Sequence, residues 1–274
     1  MKFGAIDAGG KKFICGITDE KGNTLEKISI LTETPEKTIP LVIEFFKDKD
    51  IAALGIGCFG PLDLNPQSET YGYITSSPKT TWKNFDLLGT LRTALNISIF
   101  LDTNINAAIL GEATWGAGKG LKNSIYMTIG SGIGGGAIVE GKLVHGMLHP
   151  EMGHIFVSRH PRDKFAGNCP FHGGNCLEGM ASGPAIEKRW NKKLESLGEN
   201  HPAWDLEAFY IAHALVNYIL ILSPEKIILG GDVIKHKQLL PKIRKEVAKL
   251  LNGYVQSDLI ANKIDEYIVT PDLG

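Results

Sequence analysis

The chain has 274 residues, 43% of them hydrophobic and 22% charged, with a net charge of −1; that leaves room for one large globular domain or two medium ones. The near-neutral balance, with no basic patch and no charge block, excludes a nucleic-acid footprint and a charged tail. Four cysteines are too few for a disulfide scaffold, and MKFGAIDAGG lacks the apolar run of a signal peptide, so a reducing cytoplasm is the expected location.

Residues 2–7, 12–19 and 24–31 read as three successive strands joined by short turns. A helix follows over ETPEKTIPLVIEFFKDK, begun by Glu33 or Thr34 and striped with Ile39, Val42, Ile43 and Phe46. AALGIGC (52–58) is a buried strand ending in a glycine turn. The stretch 61–82, with Pro61, Pro66, Pro78 and Trp82, reads either as a plain connection or as a lid-side element. FDLLGTLRTAL is an amphipathic helix, 97–102 a strand with polar residues at its C-terminal end, and 105–118 a helix. Residues 124–130 and 135–144 then repeat the strand, glycine turn, strand order of 2–19, which hints at two halves built on one plan. Helices at 184–196, 206–222 and 239–251 and strands at 226–230 and 266–270 complete the chain. The most apolar segment, 206–223, carries Glu207, His213 and Asn217 and precedes Pro224, so it predicts a buried helix and not a membrane span.

Two of the four cysteines fall in GNCPFHGGNC (167–176) beside a histidine. Zinc needs three or four soft or borderline ligands converging on one point, and glycines let one loop wrap the ion. Cys169, His172 and Cys176 supply three ligands at C-x2-H-x3-C spacing; His154 is the best fourth, with His145, His149 and His160 competing. The bland alternative is a loop of packed thiols with a solvated histidine. Cys15 and Cys58 sit in apolar strand-like runs and read as small core residues.

The glycine turns carry the second signal. DAGGKK (7–12) joins two strands, and a glycine hairpin exposes backbone N–H groups that can face phosphate. Asp7 at the strand end could orient a metal ion, and Lys11 or Lys12 could face the phosphate chain. GSGIGGG (130–136) recurs in the second half with Ser131, and GGD (230–232) lies between a strand and a helix, where its amides could face a ribose or adenine.

The stretches 59–91, GSGIGGGAIVEGKLVHGMLHPEMGH (130–154) and CPFHGGNCLEGMASGPAIEKRW (169–190) resemble the ROK family of sugar kinases, within it the bacterial fructokinase branch. The resemblance implies an α/β fold of two ribonuclease-H-like (actin-like ATPase) domains, expected at 1–118 and 119–274, with an interdomain cleft and a zinc-binding loop over 154–176. It implies transfer of the ATP γ-phosphate to a hexose, D-fructose first, with Mg²⁺ bridging the phosphates, and a homodimer with no nucleic-acid or membrane partner. It implies a structural zinc on His154, Cys169, His172 and Cys176, and sugar contacts at Gly60, Asn104, Glu151, His154 and Glu178. ATP contacts fall on Gly9, Gly10 and Lys12, on Ser131 and Gly132, on Gly179 and Pro184, and on Gly230 and Gly231.

Four departures stand out. The family's general base is an aspartate two residues before the Asn that opens a helix; in LDTNINAAILGE that position is Asn104, whose amide has no useful basicity, with Asp102 two residues earlier. The first turn reads Gly-Gly-Lys-Lys, so Lys11 replaces a threonine. Asp232 replaces a third glycine and is expected to crowd or repel a nucleotide. The family normally continues beyond PDLG, so either a truncated chain or a shortened protein is expected. These changes raise an alternative: a catalytically impaired homologue that binds sugar or nucleotide.

Overall fold

A computed structural model describes residues 1–77 and 79–273; Pro78 of the 61–82 stretch lies outside the described residues. Strands β1 (Lys2–Ala8), β2 (Lys12–Asp19) and β3 (Thr24–Leu31) form an antiparallel meander. Helix α1 (Pro35–Phe46) leads to β4 (Ala53–Cys58), which pairs parallel with β1. A short hairpin, β5 (Tyr73–Ile74) and β6 (Phe85–Asp86), precedes α2 (Leu87–Leu95) and β7 (Ser98–Thr103), which pairs parallel with β4. The sheet order is β3-β2-β1-β4-β7. Alternation decides its faces: Ile6, Ala8, Leu54, Ile56 and Ile99 bury with Ile39, Val42 and Phe46 of α1 and Leu87, Leu88 and Leu91 of α2. Asp7 and Asp102 therefore project from the opposite face.

The same plan recurs. Helix α3 (Asn104–Trp115) is followed by β8 (Ser124–Ile129), β9 (Ile133–Val139) and β10 (Lys142–Leu143), again an antiparallel meander. Helices α4 (Leu177–Ala181), α5 (Gly183–Trp190) and α6 (Ala203–Leu222) precede β11 (Lys226–Gly230), which pairs parallel with β8. Helix α7 (Leu239–Leu251), two single-turn helices α8 (Asp258–Ala261) and α9 (Ile264–Tyr267), and β12 (Ile268–Val269) end the fold. The order β10-β9-β8-β11-β12 matches the first sheet position by position, the ribonuclease-H-like plan twice over. The apolar segment at 206–223 is α6, long and apolar enough to cross a membrane by length and composition. It lies in the core of the second half, where Trp204, Tyr210, Ile211 and Leu215 are fully buried.

Several boundaries differ from the sequence reading. The expected strand 135–144 is two strands, because Glu140 and Gly141 both take positive φ and turn the chain back on itself. Helix α5 stops at Trp190 because Asn191 adopts the left-handed conformation that caps it. The 61–82 stretch is not a plain loop: Leu62, Ile74 and Trp82 are buried, and the Trp82 indole N–H donates to the Glu33 carbonyl at 2.7 Å.

The described residues form two compact units, Met1–Ala108 with His145–His149, and Ile109–Val144 with the residues from Pro150 on. The division falls at 108/109, inside α3, where the sequence reading set 118/119. Helix α3 starts at Asn104 directly after β7, leaving no linker to mark a boundary.

Candidate functional site

In the first unit the polar side chains gather at the C-terminal ends of the parallel strands. Asp7, Gly57 and Asp102 lie in register across β1, β4 and β7. Two strand spacings put the aspartate backbones roughly 10 Å apart on one face, with a glycine between them. Burial raises the Asp7 carboxyl above its ordinary value, and the Lys12 ammonium opposes that rise. Asp102 is engaged: its Oδ2 lies 2.8 Å from His145 Nε2, and its Oδ1 accepts from Asn106 Nδ2 at 2.8 Å and from the Thr103 N–H at 2.7 Å. Asn104 opens α3 beside this cluster, and Gly57 leaves room for it, since a Cβ there would meet the Asn104 Cα at 3.1 Å. Gly60 packs against His149, whose Nε2 accepts from the Leu62 N–H at 3.2 Å.

The β1–β2 turn is closed by Gly9 N–H donating to the Lys12 carbonyl at 3.0 Å. Two residues not singled out from the sequence belong here. Thr32 Oγ1 donates to the Gly9 carbonyl at 2.8 Å, and the Lys79 side chain passes Gly10. Both approach from distant parts of the chain, so no local pattern flags them.

In the second unit the ligand atoms of His154, Cys169, His172 and Cys176 all lie within 4.8 Å of one another. Cys169 Sγ is 3.9 Å from His154 Nδ1 and 3.5 Å from His172 Nδ1, and Cys176 Sγ is 3.7 Å from His154 Nδ1. A tetrahedron with zinc–sulfur bonds of about 2.3 Å and zinc–nitrogen bonds of about 2.0–2.1 Å has edges of about 3.3–3.8 Å, so the donor set fits that ion. Two backbone donors point at the sulfurs, His172 N–H on Cys169 and Gly179 N–H on Cys176, each at 3.4 Å, as expected around thiolates. Burial pushes the Cys176 thiol up to about 11, with Cys169 and Glu178 adding to it and Gly179 opposing. The competing histidines lie elsewhere: His145 on Asp102, His149 beside Gly60, and His160 edge-on to Phe209. Cys15 and Cys58 are buried in β2 and β4.

His154 uses both ring nitrogens. With Nδ1 facing the sulfurs, its Nε2 points to Glu178 Oε1 at 3.7 Å. Glu178 sits in the first turn of α4, and its Oε2 accepts from the Ile133 N–H at 2.9 Å. Glu151 immediately precedes the single helical turn Met152–His154 and accepts from the His154 N–H at 2.9 Å. That turn presses against β9 so closely that a Cβ on Gly153 would lie 1.8 Å from the Ile133 carbonyl oxygen. Glu151, His154 and Glu178 thus share one scaffold.

Three glycine turns converge in the same unit. The Gly130 N–H donates to the Gly132 carbonyl at 2.9 Å across Ser131, the Gly183 N–H to the Gly130 carbonyl at 2.7 Å, and the Val233 N–H to the Ile129 carbonyl at 3.0 Å. Gly230 and Gly231 line a cavity of about 420 Å³ with Tyr126, Thr128, Lys235 and Pro271. Pro184 lines a separate hollow of about 410 Å³ with Asn168, Glu187, Lys188 and Lys192. Gly179 packs in the Cys/His loop, its Cβ position 2.3 Å from the Gly173 carbonyl oxygen. Asp232 forms an exposed ion pair with Lys235 at 2.8 Å beside the GGD turn.

The profile of the ROK family matches residues 3–266. The chain belongs to the ROK family. A fructokinase of Lactococcus lactis subsp. cremoris is 45% identical over 98% of this chain and 91% of its own length. A fructokinase of Pediococcus pentosaceus is 43% identical over all of this chain and 93% of its own. The crystal structure of a ROK hexokinase from Thermus thermophilus superposes with a TM-score of 0.80 at 24% identity, covering 100% of this chain and 94% of that one. The fold is thus the mixed α/β, actin-like ATPase type of the ROK proteins.

Proposed function

We propose that this ROK protein is an ATP-dependent sugar kinase of the fructokinase branch, transferring the γ-phosphoryl group to D-fructose to give fructose 6-phosphate. The observation that carries the reading is near-complete alignment, at 43–45% identity, with two fructokinases. The hydroxyl of the sugar attacks phosphorus, the bond to the β–γ bridging oxygen breaks, and ADP leaves with the electron pair. Protein chemistry here is positioning and charge stabilisation.

In this reading Glu151, Glu178 and the Nε2–H of His154 hold sugar hydroxyls, with Gly60 and Asn104 completing the sugar contacts. Carboxylates suit vicinal hydroxyls because they accept two hydrogen bonds at once. His154, Cys169, His172 and Cys176 would hold a structural zinc that fixes the loop and supplies no nucleophile. Gly9, Gly10 and Lys12 with Ser131 and Gly132 face the phosphates; Gly179, Pro184, Gly230 and Gly231 face the rest of the nucleotide. Mg²⁺ would arrive with ATP and offset phosphate charge, and Asp7 would help hold it. A coupled assay on metal-loaded protein checks the whole: ADP release should depend on fructose. A folded sample giving no ADP with fructose, mannose or glucose removes the kinase reading.

A second reading rests on Asn104. An amide at the base position leaves binding intact and lowers turnover, which makes the chain a sugar- or nucleotide-binding homologue. Calorimetric binding of fructose without turnover would select it.

A further inference from the structure

The geometry points to a base assembled from two other residues: His145 takes the proton of the sugar hydroxyl, and Asp102 positions it. This deepens the kinase reading and rests on it. Asp102 lies two residues before Asn104, where an amide cannot serve, at the end of β7. Its own oxygens are already committed, one to His145 Nε2 at 2.8 Å and one to the Asn106 amide and the Thr103 N–H. With three nitrogens already turned on its two oxygens, this carboxylate has little lone-pair room left for a sugar hydroxyl. It is well placed for another task. Accepting from Nε2, it fixes the imidazole tautomer with the proton on Nε2 and leaves Nδ1 to receive one. Asn106, 1% exposed, steadies Asp102 by donating to it from Nδ2.

The pair is accessible as a base must be: the His145 side chain is 39% exposed and that of Asp102 20%. Its parts come from separate places, β7 and the segment 145–149, which packs with the first unit and not with the strand β10 that precedes it. The second anchor of that segment, His149 on the Leu62 N–H, fixes its far end. In the step itself the hydroxyl oxygen bonds to the γ-phosphorus, ADP departs with the electron pair of the broken bond, and the hydroxyl proton ends on His145 Nδ1. Asp102 stays ionised opposite the imidazolium, which later returns its proton to solvent.

The test is a double-mutant cycle on the full chain, with turnover and sugar KM read separately. His145→Gln should lower kcat about 100-fold, within the usual cost of removing a general base, and change the fructose KM less than threefold. Asn104→Asp should raise kcat at least tenfold. In the Asn104→Asp background His145→Gln should cost less than fivefold, because the new carboxylate has taken over the proton. The base limb of the kcat/KM pH profile should then move at least one unit towards acid. His145→Asn, smaller and partly exposed, guards against a folding artefact, and thermal melts confirm that each variant folds. Equal losses from His145→Gln in both backgrounds mean a structural role and overturn the proposal, as does an unchanged kcat in the single variant. If the parent chain is silent and Asn104→Asp is active, the pair is no base while the kinase reading stands. If neither turns over any hexose, the kinase reading itself is gone and the pair goes with it.

Discussion

Gly153 shows how tightly single residues constrain this chain. A methyl group there would overlap the Ile133 carbonyl oxygen at 1.8 Å, and that oxygen belongs to β9 backbone, which cannot yield without breaking its pairing with β8. Gly153→Ala should therefore destabilise the protein by about 2–4 kcal/mol, read as a shift in the denaturation midpoint, and should displace His154, its neighbour. The metal cluster makes a second residue-scale prediction. Metal analysis should give one equivalent of zinc per chain, and Cys169→Ser, which leaves a weaker oxygen among the donors, should retain less than about a fifth of that. A Cys169→Ser protein that still holds a full equivalent would show that the ion lies elsewhere. Spacing alone made Cys169, His172 and Cys176 legible. The fourth ligand lies fifteen positions from Cys169; the sequence favours His154 for it but leaves three other histidines competing. The Asp102–His145 contact spans 43 positions, and nothing local announces it.

At the scale of elements, composition misled in one place for a physical reason. The stretch 61–82 is rich in Pro, Ser and Thr and reads as loop, yet three of its apolar side chains are in the core of the first unit. Its secondary structure is the two-residue strand β5, paired with β6 beyond it, and a single helical turn at Thr80–Trp82, each too short for periodicity to register. Trp82 is its anchor, fully buried, 5.3 Å from Phe13 and edge-on to Phe59 and Phe85. Trp82→Ala should cost about 3–5 kcal/mol and lose the bond to Glu33 as well. The same anchoring argues against a lid. Trypsin should cut the parent chain in 61–82 slowly, with or without fructose and nucleotide, and rapidly in Trp82→Ala. Strong ligand-dependent protection in the parent would restore the lid. By contrast the first two strands and β11 are legible to within a residue, because each carries apolar residues bounded by Gly or charged turns.

At the scale of the whole molecule, two sheets of one topology carry different equipment. Both begin with a meander whose first turn is glycine-rich and both continue through parallel strands, a repetition legible as order though not as sequence identity. The first unit carries the aspartates at its strand ends. The second carries the Cys/His loop, and a buried ionic cluster ties that loop's base to the helices. Arg189 of α5 lies 3.2 Å from Asp163 and 3.1 Å from Glu207 of α6, donates to the Met180 carbonyl at 2.7 Å, and stacks over Phe165. Arg159 adds a second positive charge near Asp163, so the two acids meet the arginines unequally. Burial raises both acids; for Asp163 the Tyr210 hydroxyl, the Phe165 N–H and the arginines outweigh it and hold the group below its ordinary value. Glu207, fully buried and with no partner for Oε2 among the described residues, is pushed up to about 8 by burial against the pull of Arg189.

The sign of the consequence follows. Between about pH 4.5, where the unfolded glutamate ionises, and about 8, the folded chain holds a proton that the unfolded chain has lost. Raising the pH across that window therefore favours unfolding, by at most about 1.4 kcal/mol per unit. The lowered carboxyl of Asp163 acts in the acid range below this window and does not offset it. Glu207→Gln keeps an oxygen for Arg189 and removes the titration, so denaturant midpoints at pH 5, 6.5 and 8 should fall less steeply in the variant than in the parent. Parallel slopes would mean that Glu207 is already ionised in the fold, held by Arg189 against the cost of its burial.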